Sequence, residues 1–133
     1  MSLDNSKTEN QLSREIIGAA LEVHKALGPG LLESAYETSL ARELELRRIE
    51  FKRQLGLPLI YKDAACDVGY RLDLLVEGKV IIEVKSVEAL TDVHVAQVLT
   101  YLKLTGCKLG LLINFNVKRL KDGIRRLVNR LDE

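Results

Sequence analysis

Two hydrophobic periods divide this chain. From about Gln11 to Leu27, Ile16, Ala20, Val23 and Leu27 recur at helical spacing, with Ile17, Leu21 and His24 on an adjacent stripe. Gly28-Pro29-Gly30 then breaks the helix. A second helix is predicted from about Leu31 to Arg48, with Tyr36, Leu40 and Leu44 as its apolar stripe. The period then changes to two. Leu55, Leu57, Leu59 and Tyr61 alternate within Phe51 to Tyr61, which predicts a half-buried strand, and Pro58 places part of it at an edge or bulge. Asp67 to Val76 and Lys79 to Val84 read as two further strands joined around Glu77-Gly78. A third helix covers about Asp92 to Leu104, capped by Thr91 or Asp92 and closed by Gly106. Leu109 to Phe115 reads as a buried strand. A fourth helix is predicted over Lys118 to Leu131, with Leu120, Ile124, Leu127 and Leu131 inward. The order helix, helix, three strands, helix, strand, helix predicts a mixed α/β domain: an antiparallel meander, then a helical crossover to one more strand.

Composition narrows the class. The 133 residues, 47% hydrophobic and 29% charged, suit a single globular domain and exclude wholesale disorder. Residues 1–10 are expected to be a frayed tail, and residues 11–133 the domain. No apolar run approaches the ~18 residues that span a bilayer. Two cysteines, Cys66 and Cys107, are too few for a disulfide framework or a four-thiolate zinc site, and a cytoplasmic setting is the default expectation. The net charge of +1 does not by itself mark a nucleic-acid binder. The C-terminal stretch is biased, however. Lys118, Arg119, Lys121, Arg125, Arg126 and Arg130 face only Asp122. Such a cluster can track a phosphate backbone. It also suits a solvated helix face near a C-terminus.

Candidate chemistry appears where polar residues fall on apolar faces. Glu83 and Lys85 share one face of the strand Val80 to Lys85, and a carboxylate and an amine on a core strand are costly unless paired or bound to something. Asp73 interrupts the apolar run of the preceding strand. A two-residue hairpin loop would point Asp73 away from Glu83. A three-residue loop, Val76-Glu77-Gly78, pairs Asp73 with Ile81 and puts it on the face of Glu83 and Lys85; Gly78 at the third loop position favours that arrangement. Glu33 lies on the second helix's apolar stripe, and Gln97 lies between Val93 and Tyr101 on the third helix's inner face. Each has a plain structural reading as well: an emerging strand end, a first-turn acid, a satisfied buried amide. Clustered carboxylates repel and raise their own pKa values unless a cation is present, and hard oxygen ligands suit Mg²⁺, Mn²⁺ or Ca²⁺.

These residues resemble a known signature. Asp73, nine residues, then Glu83-Val84-Lys85 is similar to the motif of the PD-(D/E)XK nuclease superfamily, although Leu72 stands where the motif's proline would be. Gly30-Leu31-Leu32-Glu33-Ser34-Ala35-Tyr36 reads G-x-x-E-x-x-Y, and the chain from about Leu12 to Val128 resembles the GxxExxY protein family, a branch of that superfamily. His24, Leu27 to Gly30, Tyr70 to Asp73, Ala96-Gln97, Tyr101-Leu102 and Ile113 to Phe115 extend the likeness. The resemblance implies a restriction-endonuclease-like αβββαβ core with an extra N-terminal helix and a C-terminal helix. It implies a divalent metal, Mg²⁺ or Mn²⁺, held by Asp73, Glu83 and the carbonyl of Val84, with Glu33 touching it through water. Lys85 would orient or activate the attacking water, and Gln97 would line the site. It assigns no role to His24, Tyr36 or Tyr101; helical spacing favours core packing for the two tyrosines.

The expectation is a Mg²⁺-dependent nuclease acting on DNA, or secondarily RNA. Lys118, Arg119, Lys121, Arg125 and Arg126 would bind the backbone. A homodimer would be needed for so small a domain to cut both strands. A non-catalytic nucleic-acid-binding module and a protein-interaction domain are the competing classes. Aromatic residues are only 5% and Trp is absent, which makes stacking platforms poor.

Overall fold

The computed structural model describes residues 6–132. Helix α1 spans Glu9–Leu27. It starts two residues earlier than the hydrophobic period suggests, because Thr8 and Gln11 form a reciprocal capping box at its head. Lys7 also pairs with Glu15 at 2.7 Å, so the described part of the expected tail is engaged; residues 1–5 lie outside the described residues. Helix α2 spans Glu33–Leu46. Strands β1 (Phe51–Tyr61), β2 (Ala64–Val76) and β3 (Val80–Lys85) follow, then helix α3 (Asp92–Thr105) and strand β4 (Leu109–Asn114). Thr91 and His94 cap the head of α3, and Gly106, in the left-handed conformation, closes its tail.

The expected fourth helix is not formed. Residues Leu120–Gly123 make one 3₁₀ turn, and strand β5 (Ile124–Val128) runs antiparallel to β4. Two causes are visible. Every residue of β4 is buried, and without β5 the outer edge of β4 would leave its backbone groups unpaired. In addition, a Cβ at Gly123 would sit 2.1 Å from the Asn114 carbonyl oxygen, so only glycine permits so close a return of the chain. The apolar spacing that imitates a helix is divided between the two sheet faces: Ile124 packs with one core and Leu127 with the other.

The five strands form one mixed sheet in the order β1-β2-β3-β4-β5. β3 and β4 are parallel, joined by the α3 crossover, and the remaining pairs are antiparallel. α1 and α2 cover one face over Leu74, Val76, Ile82, Val84, Leu111 and Ile113. α3 covers the other over Leu72, Ile81 and Leu112. Pro58 lies on edge strand β1, at a register shift between Leu57 and Leu59. Tyr36, Leu40 and Leu44 are fully buried, as their spacing predicts, whereas Leu21, Leu27 and Val93 are exposed.

The β2–β3 hairpin has the parity expected of it, with a register two residues from the predicted one. Glu77 and Gly78 both have positive φ, the Lys79 N–H donates to the Val76 carbonyl at 2.9 Å, and Val76 pairs with Val80. The ladder then stops at Leu74↔Ile82. Asp73 and Glu83 come next on the two strands and face each other where the sheet forks.

Candidate active site

At the fork, side chains take over from the main chain. The Asp73 N–H donates to Glu83 Oε2 at 2.8 Å, and the Val84 N–H donates to Asp73 Oδ2 at 2.8 Å. Each carboxylate occupies the place a carbonyl would hold in a continuous ladder. Within a strand, a residue's N–H and C=O leave on the same edge. The Lys85 carbonyl accepts from Phe115 on the β4 side, so the Val84 carbonyl turns the opposite way, toward β2 and the two acids. Asp73, Glu83 and this carbonyl are three hard oxygen donors around one gap, a set that fits a divalent cation of the Mg²⁺ or Mn²⁺ kind.

The electrostatics of the gap favour such a charge. Burial lifts the Glu83 carboxyl to about 8, and the neighbouring Asp73 charge pushes it the same way. Burial likewise lifts Asp73 to about 6, opposed by its hydrogen bond from Val84 and assisted by Glu37. Lys85 is half-buried on the face of Glu83 and attracts both acids without forming an ion pair with either. Among the described residues no three His, Cys, Asp or Glu side chains converge tightly enough to hold a cation by themselves. Water and the Val84 carbonyl would have to complete any such shell.

The expected third acid, Glu33, is exposed in the first turn of α2. The helix begins at Glu33, so this residue lies past the rim of the packed interface. It is nonetheless tethered to the site's end of the sheet, because Ser86, next to Lys85, donates to the carbonyl of Leu31 at 2.5 Å. One turn on, Glu37 is buried and couples to both acids. Arg53 donates twice to Glu37 Oε2, at 2.9 and 3.2 Å. Gln54 Nε2 donates to Glu37 Oε1 at 2.8 Å and reaches Asp73 Oδ1 at 3.4 Å. Gln54 has φ 50°, a left-handed conformation inside a strand that a non-glycine residue adopts only when its surroundings enforce it. Glu37 stands three before Leu40 and seven before Leu44, so the stripe that pointed to Glu33 carried an equal signal for it. Nothing local in the sequence marks Arg53 or Gln54.

Gln97 and Tyr101 approach from α3. Burial pushes the Tyr101 phenol up, the Glu83 and Asp73 charges add to this, and a hydrogen bond with Gln97 opposes it. Tyr101 therefore packs in the core and also faces the acids. Tyr36 serves the loop: its hydroxyl donates to the Gly28 carbonyl at 2.5 Å and accepts from the Leu31 N–H at 3.1 Å, while its ring stacks on Phe115 at 4.6 Å. The tyrosine of G-x-x-E-x-x-Y thus fixes how the chain enters α2, by holding the backbone on either side of the motif's Gly30. His24 Nε2 lies 2.8 Å from the Val117 carbonyl and pins the segment after β4.

The basic cluster does not form one helix face. Lys118, Arg119 and Lys121 are exposed in the turn beyond the C-terminal end of β4, which is parallel to β3, so they lie at the Lys85 end of the sheet. Arg125 and Arg126 are consecutive strand residues and point to opposite faces; Arg126 is hydrogen-bonded to Asn10 at the head of α1.

Neither the curated proteins nor the solved structures provide a match to this chain. The family comparison does: residues 10–127 match the PD-(D/E)XK nuclease superfamily. The mixed sheet, with two helices on one face and a crossover helix on the other, is consistent with the restriction-endonuclease-like fold of that superfamily. No described helix is long and apolar enough to cross a membrane. With nearly the whole domain covered by the match, the chain belongs to the PD-(D/E)XK nuclease superfamily.

Proposed function

We propose that the chain is a nuclease that hydrolyses phosphodiester bonds in DNA, with RNA as the second choice, using Mg²⁺ or Mn²⁺. The observation that carries this reading is the meeting of Asp73 and Glu83 at the sheet fork, with Lys85 beside them. Asp73, Glu83 and the Val84 carbonyl would hold the cation, with Glu33 reaching it through water. When bound, the cation supplies charge neutralisation at the scissile phosphate and makes water more acidic. Lys85 donates hydrogen bonds toward the attacking water and the phosphate, fixing the line of attack. Gln97, on α3 beside Tyr101, would line the α3 side of the site. Glu37, held by Arg53 and Gln54, keeps Asp73 in place. Lys118, Arg119, Lys121 and Arg125 would contact phosphates flanking the cut, with Arg126 nearer α1. Within the superfamily, the G-x-x-E-x-x-Y segment supports a place in the GxxExxY branch, and the hydrogen bonds of Tyr36 give that motif a structural reason.

A second reading is a nucleic-acid-binding module without catalysis. It is favoured by the absence, among the described residues, of three converging metal-type side chains. The two are separated by incubating the protein with plasmid, linear, branched and single-stranded DNA and with RNA, in Mg²⁺, Mn²⁺ or EDTA, beside Lys85→Ala. Metal-dependent cleavage that falls by at least about 100-fold in Lys85→Ala supports the nuclease. Absence of cleavage on every substrate, with a salt-dependent mobility shift retained, supports the module. Two copies would be needed to cut both strands of a duplex, and sedimentation on DNA tests that stoichiometry.

A further inference from the structure

A cleft of about 330 Å³ opens beside the carboxylate pair. Ala96, Gln97, Thr100 and Tyr101 of α3 form one wall, and Leu59 and Tyr70 of the β1–β2 ribbon form the other. The cleft exists because the ribbon continues past the point where β3 stops pairing with it, leaving a gap between ribbon and helix. Tyr101 belongs to both places. It lines the cleft, and it packs with Leu72 and Ile81, one and two residues from Asp73 and Glu83 in the chain. The Tyr101 phenol also feels the Glu83 and Asp73 charges, so the cleft adjoins the site through this side chain.

Its chemistry selects an occupant. The lining is mostly apolar and contains no Lys, Arg, Asp or Glu, so it suits neither a phosphate nor a charged peptide. Two of the chain's four tyrosines stand here, in a protein otherwise poor in flat side chains. The Gln97 amide and the hydroxyls of Thr100 and Tyr70 supply edge donors and acceptors among the apolar walls. A neutral, flat, heteroaromatic ring with polar edges meets all of these conditions. In a polynucleotide whose phosphate lies at Asp73 and Glu83, the adjoining group of that kind is a base. A base can enter a side cleft only when it is not paired and stacked in a duplex.

We infer that this cleft receives an unpaired nucleobase next to the scissile phosphate, so that the preferred substrate is single-stranded or carries an unpaired nucleotide at the cut. The inference rests on the nuclease reading and names its substrate class.

The test is fluorescence anisotropy in EDTA at fixed salt, with two short duplex DNA probes. One carries a single unpaired thymidine; the other carries an abasic unit at the same place. The phosphates are identical, so backbone electrostatics cancel. The wild-type chain is expected to bind the thymidine probe about tenfold more tightly. Tyr70→Ala, which removes a wall, and Thr100→Trp, which fills the cleft from an exposed position, are both expected to abolish the difference while leaving affinity for the abasic probe intact. Equal wild-type affinities overturn the inference, as does a preference that survives in Thr100→Trp. Mg²⁺-dependent cleavage that ignores the unpaired base also overturns it, while leaving the nuclease reading standing. Base-dependent binding without cleavage of any substrate supports the cleft and removes the nuclease reading.

Discussion

Glu83→Gln should make the metal-free protein more stable at neutral pH. The Glu83 carboxyl is raised from 4.5 to about 8 by burial and by Asp73. A raised carboxyl favours folding while it stays protonated. That contribution is complete below about pH 4.5 and is lost as pH rises through 8. At pH 7 the unfolded chain has already gained the free energy of ionising Glu83, and the folded chain has not. At ~1.4 kcal/mol for each pKa unit, the folded state is then about 3 kcal/mol worse off than at acid pH. Glutamine does not titrate, and its amide oxygen can still accept from the Asp73 N–H. In EDTA, the variant and the wild type should therefore unfold alike near pH 4.5. By pH 7 the variant should be ahead by about 3 kcal/mol, or roughly 10 °C in Tm for a domain of this size. Urea and thermal unfolding followed by circular dichroism across this range measure the difference. Adding Mn²⁺ at pH 7.5 should raise the wild-type Tm and leave Glu83→Gln unmoved, since a ligand stabilises only the state that binds it. An offset that does not change with pH, or a variant that is less stable at pH 7.5, would refute the reasoning.

Three further outcomes follow from the packing. Arg53→Met removes both hydrogen bonds from Glu37 Oε2 and leaves a buried acid short of its partner, which should cost about 1–3 kcal/mol in urea unfolding; Arg53→Met combined with Glu37→Gln should recover most of that loss. Tyr36→Phe keeps the stack on Phe115 but orphans the Gly28 carbonyl and the Leu31 N–H, so a loss of about 1–2 kcal/mol is expected by thermal unfolding. Gly123→Ala drives a methyl group into the Asn114 carbonyl and should detach β5, seen as loss of amide-exchange protection over Ile124–Val128 at a cost above about 3 kcal/mol.

How far the sequence could be read varied with the range of the interactions. The bounds of β1 and the starts of α3 and β4 follow from short-range patterns: alternating leucines, a Thr91 cap, an unbroken apolar run. That Asp73 shares a face with Glu83 was also legible, because parity depends on the turn and survives a two-residue change of register; that the two acids stand directly opposite each other was not. The C-terminal segment was not, because its local spacing suits a helix and only the unpaired edge of β4 decides otherwise. Glu37 was hidden by the motif that highlights Glu33. Gln54 was hidden because its left-handed backbone is imposed by partners on α2 and β2 that lie far along the chain.

The strand that replaces the expected fourth helix has a consequence for self-association. β5 is one of the sheet's two edge strands, and Arg125 and Arg126 stand side by side within it. Were two copies to join edge to edge about a two-fold axis, the antiparallel β5 strands would set guanidinium groups of one copy against those of the other. Like charges directly opposed across a ladder repel, and an isologous contact repeats the repulsion on both sides of the axis. The arginines thus act as a guard against continuation of the sheet into a neighbour. A pair of copies assembled on a duplex would meet through some other surface, with both guarded edges left free.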